Sequence, residues 1–443
     1  MNAKKPLTYA QISQKAWPII LANASVPLLG FSDTAVIGNF GTTEDLGAIA
    51  FGALIFSFVY WGFGFLRMGT TGFVAQAKGS SDEPEIRAVL GRALFFAIVL
   101  GLILICTQIP IRGVAFFLLN GSPEVEDLAE SYFTIRILGA PATLATFALM
   151  GLLIGLGNSR QLLAVQLFLN SLNIVLDIYF AGVLNLGAAG IALGTVIAEA
   201  ATAIFAGILV YGTLKRQKSP DEDFFRINSV FDKSALSLMI TANLDIMIRT
   251  LLQVFAFAYF INQSAQFGNS VLAANHILLQ LISFAAFFLD GFAFVAEALV
   301  GQAMGAKSRH RFDVSVERTS VLALTAAVLL AAIVLAFGGL IVGWLTNISA
   351  IQEAAIRSVP LAGIYILLSF AAFQLDGIYI GASFTRQMRN AAFLSLAVFF
   401  FACWQLLPLY GITGLWWALI VYVVARAAAL LLYYPELRGK FGL

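Results

Sequence analysis

Seven carboxylates lie inside long apolar stretches of this sequence, where charge is rare. They are Asp33, Asp177, Glu199, Asp245, Asp290, Glu297 and Asp376. A carboxylate at membrane depth is costly unless it is protonated, paired or hydrated. Each of these residues therefore needs a partner or a function, and carboxyl oxygens suit a proton or a hard cation.

Depth arithmetic groups four polar residues of the first half of the chain. Asp33 and Asp177 each lie four residues from the outer end of a predicted helix, and Asn173 precedes Asp177 by one turn. Thr195 lies seven residues into the next predicted helix. At about 1.5 Å per residue, all four lie roughly 6–12 Å below the surface. They predict an oxygen-lined site for a shared proton or a monovalent cation such as sodium, unless the two aspartates only cap their helices.

The second half carries a different polar set. Asp245 and Arg249 are one turn apart, and Asp290 and Glu297 share a helix face seven residues apart. Asp376 lies in the inner third of its predicted helix. We interpret these five residues as a substrate-binding or second coupling set, or as ion pairs in which Arg249 neutralises Asp245 or Asp290.

Four further residues have no functional role that the sequence assigns. Arg67 and Arg426 lie within apolar segments, and Glu199 is a candidate partner for either. His276, near the outer end of its helix, is interpreted as a packed histidine.

The stretch that carries Asp33 also contains two prolines, Pro18 and Pro27. Proline removes a backbone donor and interrupts helix hydrogen bonding. A charge and two interruptions within one predicted span are typical of a moving part or an ion site. We therefore expect this helix to act as a hinge that bends at Pro18 or Pro27.

The elements that must position these residues are membrane helices. The chain of 443 residues is 60% hydrophobic and 11% charged, whereas a soluble protein has roughly 25% charged residues. A membrane helix needs about 20 apolar residues. The sequence predicts an all-α polytopic membrane protein with twelve transmembrane helices, at 11–37, 47–76, 88–110, 132–157, 162–181, 188–214, 235–262, 271–303, 316–345, 355–382, 390–408 and 412–434.

Orientation follows from the basic residues of the loops. With the N-terminus inside, most of the 26 Lys and Arg residues fall on the cytoplasmic side. The exceptions counted on the outer side are Arg112, Arg136 and Arg357. The bias predicts that both termini are cytoplasmic, and no cleaved signal peptide is expected at the N-terminus.

An internal repeat divides the chain. Residues 76–79 match 302–305 at a shift of 226, and the same shift matches residues 92, 151, 155, 160 and 161 with 318, 377, 381, 386 and 387. We predict an N-terminal six-helix lobe (1–214), a cytoplasmic linker (215–234) and a C-terminal six-helix lobe (235–443). Six helices per half place the pseudo-two-fold axis along the membrane normal. Asp33 has no acidic counterpart, because the shift leads to Tyr259.

Motifs of enzymes and ATPases are absent from the sequence. It has no H-E-x-x-H, no G-x-S-x-G and no Gly-rich loop ending in Lys-Ser/Thr. We therefore expect a non-enzyme without cofactors, in which an ion gradient drives any transport. A channel is less consistent with the sequence, because pores usually repeat a filter by symmetry and Met150 stands where the second half has Asp376.

Six stretches resemble the multidrug and toxic compound extrusion (MATE) family, in its DinF-like subfamily. They extend along nearly the whole chain: VPLLGFSDTAVIG (26–38), LRMGTTGFVAQAKG (66–79), NIVLDIYF (173–180), NLDIMIRT (243–250), LDGFAFVAEALVGQAMGA (289–306) and LDGIYIGASFTRQMRN (375–390). The resemblance implies a V-shaped pair of six-helix lobes. It also implies efflux of bulky, often cationic amphipathic compounds in exchange for protons or sodium.

The resemblance also implies roles for single residues. Asp33 matches the essential aspartate of helix 1, and Asn173, Asp177 and Thr195 match the other ligands of the first-lobe proton or cation site. Asp245 and Asp376 match second-lobe acids of the sodium-coupled NorM branch. Two departures concern the coupling ion: Phe147 and Met150 replace polar residues of helix 4, and Ala372 replaces a tyrosine. We favour protons, because the first-lobe set is complete and the second-lobe set is not.

The sequence thus predicts a monomeric antiporter of a bacterial inner membrane. Its expected partners are small amphipathic drug-like substrates and the lipid bilayer, with no nucleic acid. A flippase for lipid-linked precursors, on a related fold, is the alternative. Such a cavity usually needs a cationic cluster for pyrophosphate, and only three arginines are embedded here.

Overall fold

The computed structural model describes residues 7–119, 122–215 and 224–441. Within these ranges the chain is helical and contains no strand. The first six membrane helices are α1 (Tyr9–Ala24 and Val26–Phe40), α2 (Thr43–Gly62 and Phe65–Ser80), α3 (Glu83–Cys106), α4 (Pro123–Arg136, a 3₁₀ turn Ile137–Gly139, and Ala140–Gly155), α5 (Ser159–Asp177 with a π-helical turn Ile178–Val183) and α6 (Gly187–Lys215).

The second six are similar in length to the first. They are α7 (Lys233–Ala265), α8 (Asn269–Gly305), α9 (Arg309–Leu345), α10 (Ser349–Gly381), and α11 and α12, which together form Thr385–Gly439. Short helices Gln108–Leu119 and Ile227–Val230 lie in connections. Part of the predicted linker, residues 216–223, lies outside the described residues.

Ten helical stretches among the described residues are long and apolar enough to cross a membrane. The longest, Thr385–Gly439, has 55 residues and divides at Gly411, whose φ of 55° and ψ of −132° are not helical. Helix α1 is made of two shorter segments, of 16 and 15 residues. With these two corrections the described residues contain the twelve membrane helices that the sequence predicts, and the all-α fold class is confirmed.

The break in α1 lies at Ser25, two residues before Pro27. Pro27 occupies the first turn of the segment that follows the break, where the missing N–H of proline is tolerated. Pro18 lies inside the uninterrupted segment Tyr9–Ala24. The sequence therefore identified the interrupted helix but could not choose between its two prolines.

The internal repeat reappears as equivalent packing contacts. In α4, a Cβ on Gly151 would lie 2.4 Å from the carbonyl oxygen of Arg67, and a Cβ on Gly155 would lie 2.8 Å from that of Thr71. A Cβ on Gly377 or Gly381 of α10 would lie 2.4 Å from the carbonyl oxygens of Ala293 and Glu297. Each of the two contacts in the first half has its counterpart in the second half at a shift of 226. In both halves, glycine lets the helix backbones approach closely. The pseudo-symmetric arrangement of the two halves is therefore visible in single contacts.

The described residues form two compact units. The N unit is Leu21–Met239, and the C unit combines the chain up to Ile20 with Ile240–Leu443. The first turns of α1 therefore pack with the second half of the sequence, where Gly291 of α8 accommodates Ile20 and Trp17 contacts Phe288 edge to face. Asp33 lies beyond this point, in the N unit.

Candidate functional site: buried polar clusters of the two units

The four polar residues predicted from the first half come together in the N unit. The Asn173 amide Nδ2 donates to Asp177 Oδ1 at 3.3 Å and to Thr195 Oγ1 at 3.1 Å. The carboxyl groups of Asp33 and Asp177 lie within hydrogen-bonding contact of each other. Helices α1, α5 and α6 thus each contribute a side chain to one polar cluster.

This cluster is buried and has spare acceptors. The exposed fractions are 0% for Asn173 and Asp177, 2% for Thr195 and 9% for Asp33. Three of its oxygens, Asp33 Oδ1, Asn173 Oδ1 and Asp177 Oδ2, accept no hydrogen bond from the described residues. Buried acceptors normally have a donor, so these oxygens offer ligands to a proton or a monovalent cation.

A close helix approach holds the cluster together. A Cβ on Gly194 of α6 would lie 2.6 Å from Asp177 Oδ1, so glycine lets α6 approach that carboxyl group. Thr195 Oγ1 also donates to the carbonyl oxygen of Ile191 at 2.8 Å, which leaves its lone pairs available to Asn173. Directly after Asp177, α5 changes to a π-helical turn, a feature frequent at functional sites.

A buried ion pair lies beside the carboxyl cluster. Arg136 of α4 donates to both oxygens of Glu199 of α6 at 2.6 Å, and Thr143 Oγ1 donates to Glu199 Oε2 at 2.6 Å. The Arg136 guanidinium also lies 5.3 Å from the ring centre of Phe56 and 5.5 Å from that of Tyr60. Arg136 is 7% exposed, so this guanidinium is buried among protein groups.

The sequence missed this pair in two respects. It counted Arg136 with the charges on the outer side and left Arg67 or Arg426 as partners of Glu199, whereas Glu199 pairs with Arg136. The error comes from the start of α4, which begins at Pro123, nine residues before the predicted start. Ser122 caps this helix by accepting from the Val125 N–H, with proline and glutamate following. That capping pattern is readable from sequence and would have placed Arg136 well inside the helix and not near its outer end.

The ion pair is electrostatically part of the cluster. Arg136 is close enough to interact with both Asp33 and Asp177, and Glu199 is close enough to interact with Asp33. Thr195 and Glu199 are one turn apart on α6 and therefore face the same side. The N unit thus holds three acids and one arginine in one polar region.

The described residues contain no group of three or more His, Cys, Asp or Glu side chains that could hold a metal ion. The cluster of the N unit has two carboxylates with amide and hydroxyl oxygens instead. This donor chemistry excludes soft metals and fits sodium or a proton.

The second-half residues fall into separate groups in the C unit. Asp376 of α10 accepts hydrogen bonds from Arg249 of α7 and Arg426 of α12 through the same oxygen. All three are buried, with exposed fractions of 5–7%. Arg426, for which the sequence offered Glu199 as a candidate partner, therefore pairs with Asp376.

Asp245 has different partners from those expected. It accepts from Arg389 Nη1 at 2.6 Å and from Thr385 Oγ1 at 3.1 Å, both at the start of α11. Glu297 of α8 is 1% exposed and Asp290 is half-buried. The structure therefore brings Arg249 and Asp376 together and places Asp245 in an ion pair with Arg389.

The fold and its buried clusters define a polytopic helical membrane protein with an internal repeat and a polar site in one half. The model of the MatE family matches residues 18–179 and 246–404, two segments that begin at nearly equivalent positions of the repeat. The chain belongs to the MATE family of membrane transporters.

Relatives with high coverage support this assignment. The chain is 34% identical to the DNA damage-inducible protein F of Escherichia coli K12 over 94% of its own length and 89% of that protein. It is 23% identical to the multidrug export protein MepA of Staphylococcus aureus RF122, over 94% of this chain and 91% of that one. It is also 23% identical to the probable multidrug resistance protein NorM of Photorhabdus laumondii, at 94% and 92% coverage.

Solved structures share the fold. The Vibrio cholerae MATE transporter VcmN in its bent form superposes with a TM-score of 0.86 at 20% identity, covering 98% of this chain and 97% of that one. A MOP superfamily transporter of Pyrococcus furiosus superposes with a TM-score of 0.86 at 16% identity, covering 97% and 96%.

Proposed function

We propose that this transporter is a secondary active antiporter that exports amphipathic, often cationic compounds in exchange for protons. The observation that carries the proposal is the contact between the Asp33 and Asp177 carboxyl groups, with an unsatisfied buried oxygen on each. Two adjacent carboxylates repel each other unless a proton or a cation lies between them. The cluster is therefore suited to bind and release one positive charge.

Coupling to cargo follows from reciprocity. If a positive charge bound at Asp33 and Asp177 weakens the binding of cargo, then bound cargo must weaken the binding of that charge by the same factor. Exchange then needs only two states of the protein, one favoured by the proton and one by the cargo. The cargo class is supported by the relatives, whose names include a multidrug export protein and a probable multidrug resistance protein.

Sodium at Asp33, Asn173, Asp177 and Thr195 is the alternative coupling ion. We favour the proton because Asp376, the matching second-lobe acid of the sodium-coupled branch, already binds two guanidinium groups. Arginine charges on Asp376 make an additional cation there electrostatically unfavourable.

The lipid-linked flippase is less supported by the same contacts. Recognition of pyrophosphate requires cationic side chains that are available to it. Arg136 is engaged by Glu199, and Arg249 and Arg426 are engaged by Asp376.

We also propose the topology that the loop charges indicate, with both termini on the cytoplasmic side of a bacterial inner membrane. The protein is proposed to act as a monomer. Labelling of single cysteines at residues 232 and 347 from either side of intact vesicles tests the orientation, since these residues flank α7 and α9. Labelling of both from the same side would contradict it.

The direct test of function is Asp33→Asn. We expect this variant to lose proton-driven accumulation of ethidium, a planar amphipathic cation, in inverted vesicles. Asp313→Asn is the matched control, because it removes a carboxylate whose ion pair with Arg438 is partly exposed. Both proteins should be produced at equal level and unfold at similar temperatures. Normal ethidium transport by Asp33→Asn would refute the proposal.

A further inference from the structure

Helix α5 carries a stripe of four buried polar side chains. Gln166, Asn170, Asn173 and Asp177 follow one another at intervals of three or four residues and therefore share a helix face. Their exposed fractions are 7%, 5%, 0% and 0%. The last two belong to the carboxyl cluster, and the first two have no part in it.

Asn170 binds the point at which α1 is broken. Its amide Nδ2 donates to the carbonyl oxygen of Ser25 at 2.8 Å. Gln166 Nε2 donates to Asn170 Oδ1 at 3.1 Å, which orients the Asn170 amide so that its nitrogen faces Ser25. The hydroxyl group of Ser25 donates a hydrogen bond to the carbonyl oxygen of Ala22 at 2.7 Å. As the N-cap of Val26–Phe40, Ser25 has a carbonyl oxygen with two lone pairs, so it can accept the Asn170 bond beside the first hydrogen bond of that segment.

The two contacts between α1 and α5 are in register. Ser25 and Asp33 are eight residues apart on α1, and Asn170 and Asp177 are seven apart on α5. At about 1.5 Å per residue these separations are about 12 Å and about 10 Å, so the helices run in the same direction with two polar attachments. Two attachments two turns apart restrict both the tilt and the rotation of the segment Val26–Phe40.

We infer that Asn170 is a positioning residue that holds the broken point of α1 on α5 and thereby keeps Asp33 against Asp177. This inference rests on the proposed function, in which the contact between those carboxyl groups binds the coupling proton. Asn170 does not touch the coupling site; it acts through α1. Without it, the segment that carries Asp33 loses its polar attachment at the break and keeps the one at the carboxyl groups.

The competing interpretation is structural. Asn170 then only satisfies a buried carbonyl group, and its loss lowers stability without changing the transport cycle of the folded protein. The two interpretations differ in what happens to turnover and to the mobility of α1 in protein that remains folded.

The experiment compares Asn170→Ala with Gln161→Ala in full-length protein reconstituted in liposomes. Gln161 is the matched control because it also lies on α5 and bonds Thr213 of α6 at 3.2 Å, away from α1. For Asn170→Ala we expect the maximal rate of ethidium transport to fall about fivefold to tenfold, the factor that corresponds to one hydrogen bond, with the KM for ethidium within about twofold of the native value. Gln161→Ala should keep the native rate. Gln166→Leu, which removes only the group that orients Asn170, should give an intermediate rate.

Hydrogen–deuterium exchange provides a second measurement that does not depend on transport. We expect backbone amides between Ser25 and Gly30 to exchange faster in Asn170→Ala than in native protein, and not in Gln161→Ala. Native turnover in folded Asn170→Ala, or unchanged exchange in α1, would overturn the inference. If Asp33→Asn transports normally, the proposed function fails instead, and the exchange data still report whether Asn170 holds α1.

Discussion

At the scale of single residues, the molecule separates its buried charges into paired and unsatisfied groups. Glu199 and Asp376 are engaged by arginines, whereas Asp33 and Asp177 meet each other and retain oxygens without a donor. A paired acid stabilises a fold or orients neighbours, while an acid with an available oxygen can bind and release an ion. The acids of the N unit are thus distinguished by their partners and not by their burial.

The ion pair of Arg136 and Glu199 gives a prediction at this scale. Removing one partner of a buried pair leaves the other charge uncompensated, and typically costs about 3–5 kcal/mol. We expect Arg136→Met and Glu199→Met each to destabilise the protein strongly. The double variant should lose clearly less than the sum, because neither charge then remains. Thermal unfolding in detergent measures all three, and additive losses would contradict the pairing.

At the scale of elements, the site depends on how closely three helices approach. Helix α6 approaches Asp177 closely because Gly194 has no side chain there, and α1 carries Asp33 on the segment that begins after Ser25. The π-helical turn after Asp177 changes the direction in which the rest of α5 presents its side chains. Irregular backbone therefore occurs on two of the three helices that form the site.

Gly194 gives a prediction at the element scale. Gly194→Ala places a Cβ 2.6 Å from Asp177 Oδ1, so the helices must separate or the carboxyl group must move. We expect a loss of about 1–3 kcal/mol from overpacking, with reduced ethidium transport. Gly207→Ala on the same helix is the control, because no atom lies within 4 Å of the added methyl group.

The control should be neutral or slightly stabilising, since alanine favours a helix over glycine by about 1 kcal/mol. Unfolding temperatures and initial transport rates of the two variants provide the comparison. Equal behaviour of Gly194→Ala and Gly207→Ala would show that the close approach to Asp177 is not required.

At the scale of the whole molecule, the helix packing is repeated between the two halves, whereas the buried acidic residues are not. The glycines that bring α4 onto α2 and α10 onto α8 recur at one shift, so the two halves share a scaffold. The buried acids of the sites do not recur, because Tyr259 stands at the position equivalent to Asp33 and Met150 at the position equivalent to Asp376. One scaffold thus carries a carboxyl cluster in the N unit and an arginine-bound aspartate in the C unit.

The sequence predicted the scaffold well because hydropathy and glycine spacing are local signals. The gap expected between residues 408 and 412 coincides with Gly411, and the repeat pairs that were chosen on glycines make equivalent contacts. It failed for Arg136, which joins Glu199 across 63 residues of sequence. Pairing between distant helices depends on rotation and close approach, which composition and depth do not encode. Asn170 was missed for the same reason, since its partner is a backbone carbonyl group of a broken helix.

The proton flux that accompanies cargo transport directly reports whether Asp33 and Asp177 bind the coupling proton. Purified protein in liposomes, with a pH-sensitive dye inside, receives ethidium in sodium-containing and in sodium-free buffer. We predict an ethidium-dependent proton flux of equal size in both buffers, and none with Asp33→Asn. Ethidium transport that requires sodium, or that moves no protons, would contradict the assignment of Asp33 and Asp177 as the proton-coupling pair.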